Sequence, residues 1–275
     1  RADRLMRGLL FGAFLVAVIP LVLILVVVVA KGMSAMRLDF LIQTQPLSFR
    51  AEGGGFVHGL VGTAMMVGVA IVISVPLGIA AAVFLTEYRS SRLARPVRFF
   101  TDVMTGVPSI FVGLFVYATL VRGFDLGFGT LPGGIAISIL MLPIIVRSAE
   151  EILKLVPADL RSASTAMGAR RWQTALFVVL PAAAPGLITG VMLAVARGAG
   201  ETAPLILTAF GTPYLVTALV GEPQTALPLL VFDGARLPFA PAQARAWAGA
   251  LELVVFVLLL TIVARFIGGR QRVAR

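Results

Sequence analysis

Arg197 and Glu201 stand four residues apart in Arg197-Gly198-Ala199-Gly200-Glu201-Thr202-Ala203-Pro204, at the end of an apolar run that follows Pro181. At that spacing they meet on one helix face, although arginine before glutamate is the less favourable order. A span of about twenty-five residues after Pro181 would put Arg197 a few residues past its middle, on the order of 5 Å from a membrane midplane at 1.5 Å per residue. An arginine at that depth costs about 2.5 to 3.5 kcal/mol to insert, and Glu201 adds to the penalty unless it is paired or protonated, so both are expected to face protein or water. The chemistry such a pair offers is reversible oxyanion binding. Planar guanidinium donors match an oxyanion bidentately, and a carboxylate that competes for them keeps the affinity low enough for release. Gly198 and Gly200 loosen the turn and Pro204 removes the bond to the Gly200 carbonyl, so the backbone itself is available to line a path. Ser109, beside Pro108 in another apolar run, and Thr202 could each add a hydroxyl. Structural roles stay open for all four: Arg197 and Glu201 bolting a helix to its neighbour, Pro108-Ser109 making a kink, Thr202 bonding to its own helix.

Other chemistry is absent from the chain. There is no cysteine, so no disulfide framework, thiol nucleophile or thiolate metal site exists, and the single His58 cannot form a histidine metal cluster. No Gly-x-x-x-x-Gly-Lys-Ser/Thr phosphate loop occurs. We therefore expect no catalytic residue and no metal site, and any nucleotide hydrolysis must come from another protein. His58 is expected in an external interface without a specific role, and Asp102 and Glu252 near span ends in solvated or snorkelling positions.

The elements that must position these residues are membrane helices. Apolar residues make up 59% of the 275 and charged residues 13%, about half the share usual in soluble domains, and several runs exceed the eighteen or so apolar residues a bilayer span requires. We place six spans at roughly 8–30, 59–86, 97–121, 132–150, 182–207 and 248–267, which leaves room for one helical bundle over 1–275 and no separate soluble domain. The first apolar run is too long for a signal peptide and no small-residue cleavage pattern follows it cleanly before Lys31, so it reads as a retained helix. The chain begins at Arg1, so a preceding piece is expected to be missing. Gly53-Gly54-Gly55 marks a flexible connection, and about 208–247, rich in Gly and Pro, forms the longest non-spanning stretch. Of the Lys and Arg residues other than Arg197, sixteen fall on the side that holds both termini and the segment after the fourth span, and six on the other. That asymmetry puts both termini and this segment in the cytoplasm. It also accounts for the net charge of +10 without a nucleic-acid surface, which would need the charge on one folded face.

The segment itself, Ala158 to Pro181, is a polar insert between apolar runs. Pro157 suits a first helical turn, Asp159 places a negative charge at the positive end, and Gly168 can end the helix in a left-handed conformation, so a short helix from about 157 to 167 is expected. Ala163, Ser164 and Ala166 are small enough for a partner surface to approach closely, Arg170 and Arg171 project past the glycine turn, and Trp172 supplies an apolar anchor. An interfacial helix lying on the inner leaflet, with its arginines on anionic lipid, is the alternative.

The spacing Ala163, Gly168, Leu180-Pro181 resembles the coupling loop of ABC-importer membrane subunits, with Ser162, Ser164 and Val178 at positions where that pattern has Glu, Ala and Ile. Gly106-Val107-Pro108-Ser109-Ile110, the run Pro76-Leu77-Gly78-Ile79-Ala80 leading to Glu87-Tyr88-Arg89, and Gly200-Glu201-Thr202-Ala203-Pro204 narrow the resemblance to the permeases of phosphate-specific ABC importers, in their A-type form. The matching segments run from about 62 to 210. This resemblance implies an all-α type I permease bundle with a cytoplasmic coupling helix in a loop at about 155–175, in the plasma membrane. It implies substrate-pathway roles for Arg197, Glu201, Thr202 and Ser109, and ATPase-coupling roles for Ala163, Ser164, Gly168, Arg170, Arg171 and Trp172. The implied partners are a C-type permease, a cytoplasmic ATPase dimer that holds ATP and Mg, an external phosphate-binding protein and the lipid bilayer. A permease for another oxyanion or a small solute would share the loop, whereas an ion-coupled secondary transporter would need neither the loop nor an ATPase.

Overall fold

A computed structural model describes residues 2–270. Arg1, Arg272 and Arg275, which enter the charge asymmetry, lie outside them. The described chain is helical: α1 Ala2–Ala35, α2 Val57–Glu87, α3 Ala94–Gly106, α4 Ser109–Val116, α5 Thr130–Lys154, α6 Ala158–Ala166, α7 Arg171–Thr174, α8 Leu180–Ala199, α9 Ala203–Thr208, α10 Leu227–Arg236 and α11 Ala240–Arg270. Wider π-turns extend α4 to Gly123 and join α7 to α8, so that one helix runs Arg171–Ala199. Helices satisfy their own backbone polar groups, which hydrocarbon cannot do, and this is why apolar runs of this length adopt them.

Five helices are long and apolar enough to cross a membrane, and a sixth crossing is available from α3 with α4. The all-α six-span expectation holds, with two corrections. The predicted third span is no straight rod: α3 and α4–Gly123 meet at 106° across Val107-Pro108. Both residues are extended there, and proline disfavours helical geometry in the residue before it. The predicted fifth span starts earlier, at Arg171, and stops earlier, at Ala199. The supposed non-spanning stretch 208–247 also contains α10 and the start of α11.

The core lies between α2, α5 and α8. Gly78 faces Ile145, and Gly133 and Gly134 face Met66 and Val69, with a Cβ on any of the three glycines falling within 2.6 Å of those side chains. Small residues of this kind let helix backbones approach where no hydrophobic effect drives association. Around that seam Met66, Ala70, Ile137, Met141, Val195 and Leu205 form the largest buried cluster. α8 runs antiparallel to α5: Gly186 meets Ile152, Gly190 meets Ser148, and Gly198 meets Met141 and Ile137. By contrast α1 exposes nearly all its apolar side chains, as a helix surrounded by lipid would, and touches the bundle near its end, where Lys31 lies 4.8 Å over the Trp247 ring and Gly32 abuts Leu251.

The connection at Gly53-Gly54 is pinned rather than free. Buried Arg245 donates to the Phe49, Ala51 and Gly53 carbonyls.

α4 rests on α9 through Gly113, where an added Cβ would lie 2.6 Å from Pro204 Cα and 2.9 Å from its carbonyl oxygen. Both are backbone atoms and cannot yield as a side chain would. Gly113→Val should therefore push α4 off α9 at a cost of about 1–3 kcal/mol. The check is the thermal midpoint of the purified chain in detergent, with a similar substitution at Gly106, which has open space around it, as the tolerated control.

Candidate functional site

Two regions carry the residues singled out above. The first is the break between α8 and α9. Gly200 N–H donates to the Arg197 carbonyl at 3.1 Å and Glu201 N–H to the Gly198 carbonyl at 3.2 Å, which tightens the last turn of α8 and ends it. Thr202 then opens α9, its carbonyl accepting from the Leu205 and Ile206 N–H groups. Pro204, which has no N–H to give to a continuing helix, sits at the start of α9.

The contact of Gly198 with Met141 sets the depth of the break, because Met141 lies near the centre of the 25-residue α5. Arg197 is thus at mid-depth in the bundle. Its Nε approaches Glu201 Oε1 at 3.4 Å, longer than a well-formed charge-assisted hydrogen bond. The Arg197 side chain is 64% exposed and that of Glu201 15%. Arg197 shares an open stripe of the helix with Thr189, Leu193 and Gly200. Among the described residues its terminal guanidinium nitrogens make no hydrogen bond. A loosely held, outward-facing guanidinium of this kind can exchange its carboxylate for another oxyanion.

Ser109 is half-buried in the first turn of α4, directly after the extended Pro108. One turn further along α4, Gly113 packs on Pro204 at the start of α9. No hydrogen bond joins Ser109 to Arg197 or Glu201 among the described residues.

The second region is the loop after α5. Helix α6 matches the expected helix to within a residue at each end, and Gly168 ends it at φ +84°. Met167 N–H donates to the Ala163 carbonyl, Gly168 N–H to that of Thr165 and Ala169 N–H to that of Ser164. Arg170 caps α7, its N–H donating to Gln173 Oε1 at 2.8 Å. Ala163, Gly168, Arg170, Arg171 and Trp172 are exposed. Ser164 departs from the expected contact surface. It is 4% exposed and its hydroxyl bonds that of Thr174 at 2.9 Å, so it holds α6 against α7 and offers nothing to a partner. Met167, overlooked in the sequence, is 84% exposed at the tip and adds an apolar knob beside Trp172.

Asp102 is exposed, as expected, and forms an ion pair with Arg147, whereas the expectation of a solvated position fails at Glu252. Glu252 is buried in α11 and His58 at the start of α2, and neither side chain has a hydrogen-bond partner among the described residues. Glu150, in α5, is buried under Arg98, Arg147 and Lys154, and Gln224 is buried where it ties Thr130 to the Val216 carbonyl. The sequence signal for Glu150 was a carboxylate with basic residues three before and four after it, which also describes any solvated helix end.

Comparison with known proteins agrees with this geometry. Residues 74–273 match the family described as "Binding-protein-dependent transport system inner membrane component". The chain is 38% identical over 264 residues to the phosphate transport system permease protein PstA of Haemophilus influenzae, covering 96% of this chain and 92% of that one. It is 40% identical over 268 residues to the protein of the same name from Yersinia pestis, covering 97% and 88%. Among solved structures, an inward-facing MetNI methionine ABC transporter chain superposes with a TM-score of 0.59 at 21% identity, over 80% of this chain and 95% of that one, which establishes a shared fold.

Proposed function

We infer that this chain, which belongs to the family of binding-protein-dependent transport system inner membrane components, is the permease subunit through which an ATP-driven importer moves inorganic phosphate across the inner membrane. It is a multi-pass transport subunit and not an enzyme. Its partners are an ATPase and a substrate-binding protein. In finer terms, the whole chain acts as one permease domain and forms half of the pathway, a C-type permease supplying the other half. A cytoplasmic ATPase dimer binds ATP and Mg and docks on the 155–175 loop, and an external phosphate-binding protein delivers the substrate. Both termini and the loop face the cytoplasm, on the strength of the charge asymmetry.

The observation that carries the pathway reading is the position of Arg197: mid-depth, largely open, on a face that is otherwise apolar or small. Facing lipid, that guanidinium would cost about 2.5 to 3.5 kcal/mol. Facing a second permease across a wet path, it would not. The open α8 stripe is therefore the pathway face, and Arg197 presents its fork to phosphate while Glu201 competes for it. Thr202 and Ser109 add hydroxyl donors. ATP binding and hydrolysis shift the pair of permeases between outward-facing and inward-facing states through differential contacts with the loop, and this drives passage.

The chain should transport nothing by itself. Purified alone into proteoliposomes, it should show no phosphate uptake under an imposed proton or sodium gradient. With the ATPase, the second permease and the binding protein added, uptake should appear and require ATP. Gradient-driven uptake by the lone chain would overturn the importer reading in favour of a secondary transporter.

A further inference from the structure

Arg161 ties the coupling helix α6 to the ends of α2 and α5, alongside the Ser164–Thr174 bond that holds it to α7. Arg161 donates from Nε to Glu87 Oε1 at 3.0 Å, from Nη1 to the Val156 carbonyl at 2.6 Å and from Nη2 to the Leu153 carbonyl at 2.9 Å. Glu87 is the last residue of α2, and the two carbonyls belong to the last turn of α5 and the bend that follows it. Carbonyls at a helix end have no partner within the helix, so the arginine satisfies α5 as well as pairing with α2. The ion pair is sheltered, the two side chains being 25% and 12% exposed. A planar fork with three fixed acceptors leaves α6 little freedom to rotate without carrying the ends of α2 and α5 along.

A second joint lies one turn back along α5. Glu150, 1% exposed, receives Arg98 of α3 at 2.7 Å, and Arg147 reaches Asp102 on the same helix. Helix α3 turns through the 106° elbow into α4, and α4 lies on α9 through Gly113 and Pro204, next to Glu201. The contacts are therefore continuous from the loop to the break between α8 and α9. Continuity alone does not establish coupling, which has to be measured.

We propose that Arg161 is a positioning residue for transport: it converts displacement of α6 into joint movement of α2 and α5, and Glu150 passes that movement through the α3–α4 elbow to the break that holds Arg197 and Glu201. This rests on the permease reading above. It assigns Arg161 no contact with phosphate or with the ATPase.

The test uses the complete complex in proteoliposomes and reads ATP hydrolysed per phosphate imported, alongside the amount of complex assembled. Arg161→Gln keeps a polar though shorter side chain and loses both the charge and the fork, and should raise that ratio about fivefold or more while assembled complex stays near the wild-type amount. Glu87→Gln, which leaves both carbonyl bonds in place, should raise it by less, and carries the test should the first variant fail to assemble. Restoration of most of the coupling by Arg161→Lys relative to Arg161→Gln would overturn the role assigned to the fork. An unchanged ratio in the glutamine variants, with uptake and hydrolysis falling in step with the assembled complex, would make Arg161 a staple and overturn the proposal alone. Absence of ATP-dependent phosphate uptake by the wild-type complex would overturn the permease reading, and this inference with it.

Discussion

Arg197→Gln should abolish phosphate uptake while complex assembly and basal ATP hydrolysis stay close to wild type. A hydrogen bond to a charged group contributes about 1.5–3 kcal/mol, and each 1.36 kcal/mol is a factor of ten, so losing one bidentate contact predicts a fall on the order of 100-fold or more. The fold should survive. Arg197 is 64% exposed and its pairing with Glu201 is long at 3.4 Å, and an ion pair this open contributes about 0–1 kcal/mol. Arg197→Lys should restore uptake in part, because a point charge replaces the lost charge but not the fork. Glu201→Gln should slow turnover and increase phosphate retention, since the guanidinium loses its competitor. Uptake, assembly and thermal stability measured together on the three variants decide between pathway and scaffold. If Arg197 instead bolts this chain to a partner, removing one member of a pair buried in that interface should cost about 3–5 kcal/mol, and transport should disappear in step with the assembled complex.

Gly168→Val should uncouple the chain from its ATPase without disturbing its insertion. Gly168 sits at φ +84° with no other group within 4 Å of the position a Cβ would take, so the effect is conformational and not steric. A β-branched residue forced into that region costs about 1–2 kcal/mol, comparable to the few bonds that shape this turn. The turn is expected to open and to carry Met167, Arg170 and Trp172 out of register with the docking surface. ATPase copurification and stimulated hydrolysis should both fall by about tenfold, the factor that 1.36 kcal/mol of lost binding represents. Gly168→Asn, which tolerates the left-handed region, should stay near wild type. Wild-type copurification and hydrolysis in the valine variant would mean that the loop is an interfacial helix resting on lipid.

The number of crossings and the limits of α6 were readable in the residues because local physics decides them. An apolar run longer than a bilayer must be a helix in hydrocarbon, and Pro157, Asp159 and Gly168 mark the start and stop of α6 by their own backbone and charge preferences. Arg197 and Glu201 stood out for the same reason, since charge inside an apolar run has a cost that does not depend on its neighbours. Hydropathy did not reveal where the long helices stop. Val107-Pro108 and Gly200-Thr202 interrupt stretches that read as single spans by hydropathy, and a window average has no term for the geometry of one bond.

What only the tertiary structure decided is which side of each helix meets protein. A transfer scale prices removal from water and treats lipid and protein interior as one solvent, so it could not separate the open stripe of α8 that holds Arg197 from the opposite face buried against α5. For the same reason nothing in the sequence distinguishes buried Ser164 from its exposed neighbours, or buried Glu252 from exposed Asp102. The residues that join Arg161 to α2 and Glu150 to α3 lie 74 and 52 positions away, and no local pattern specifies them. The sequence by itself determined an all-α permease fold with a charged pair inside an apolar run and a short helix ended by Gly168. The packing of distant helices determined that the pair opens onto one face and that Arg161 ties α6 to the ends of α2 and α5.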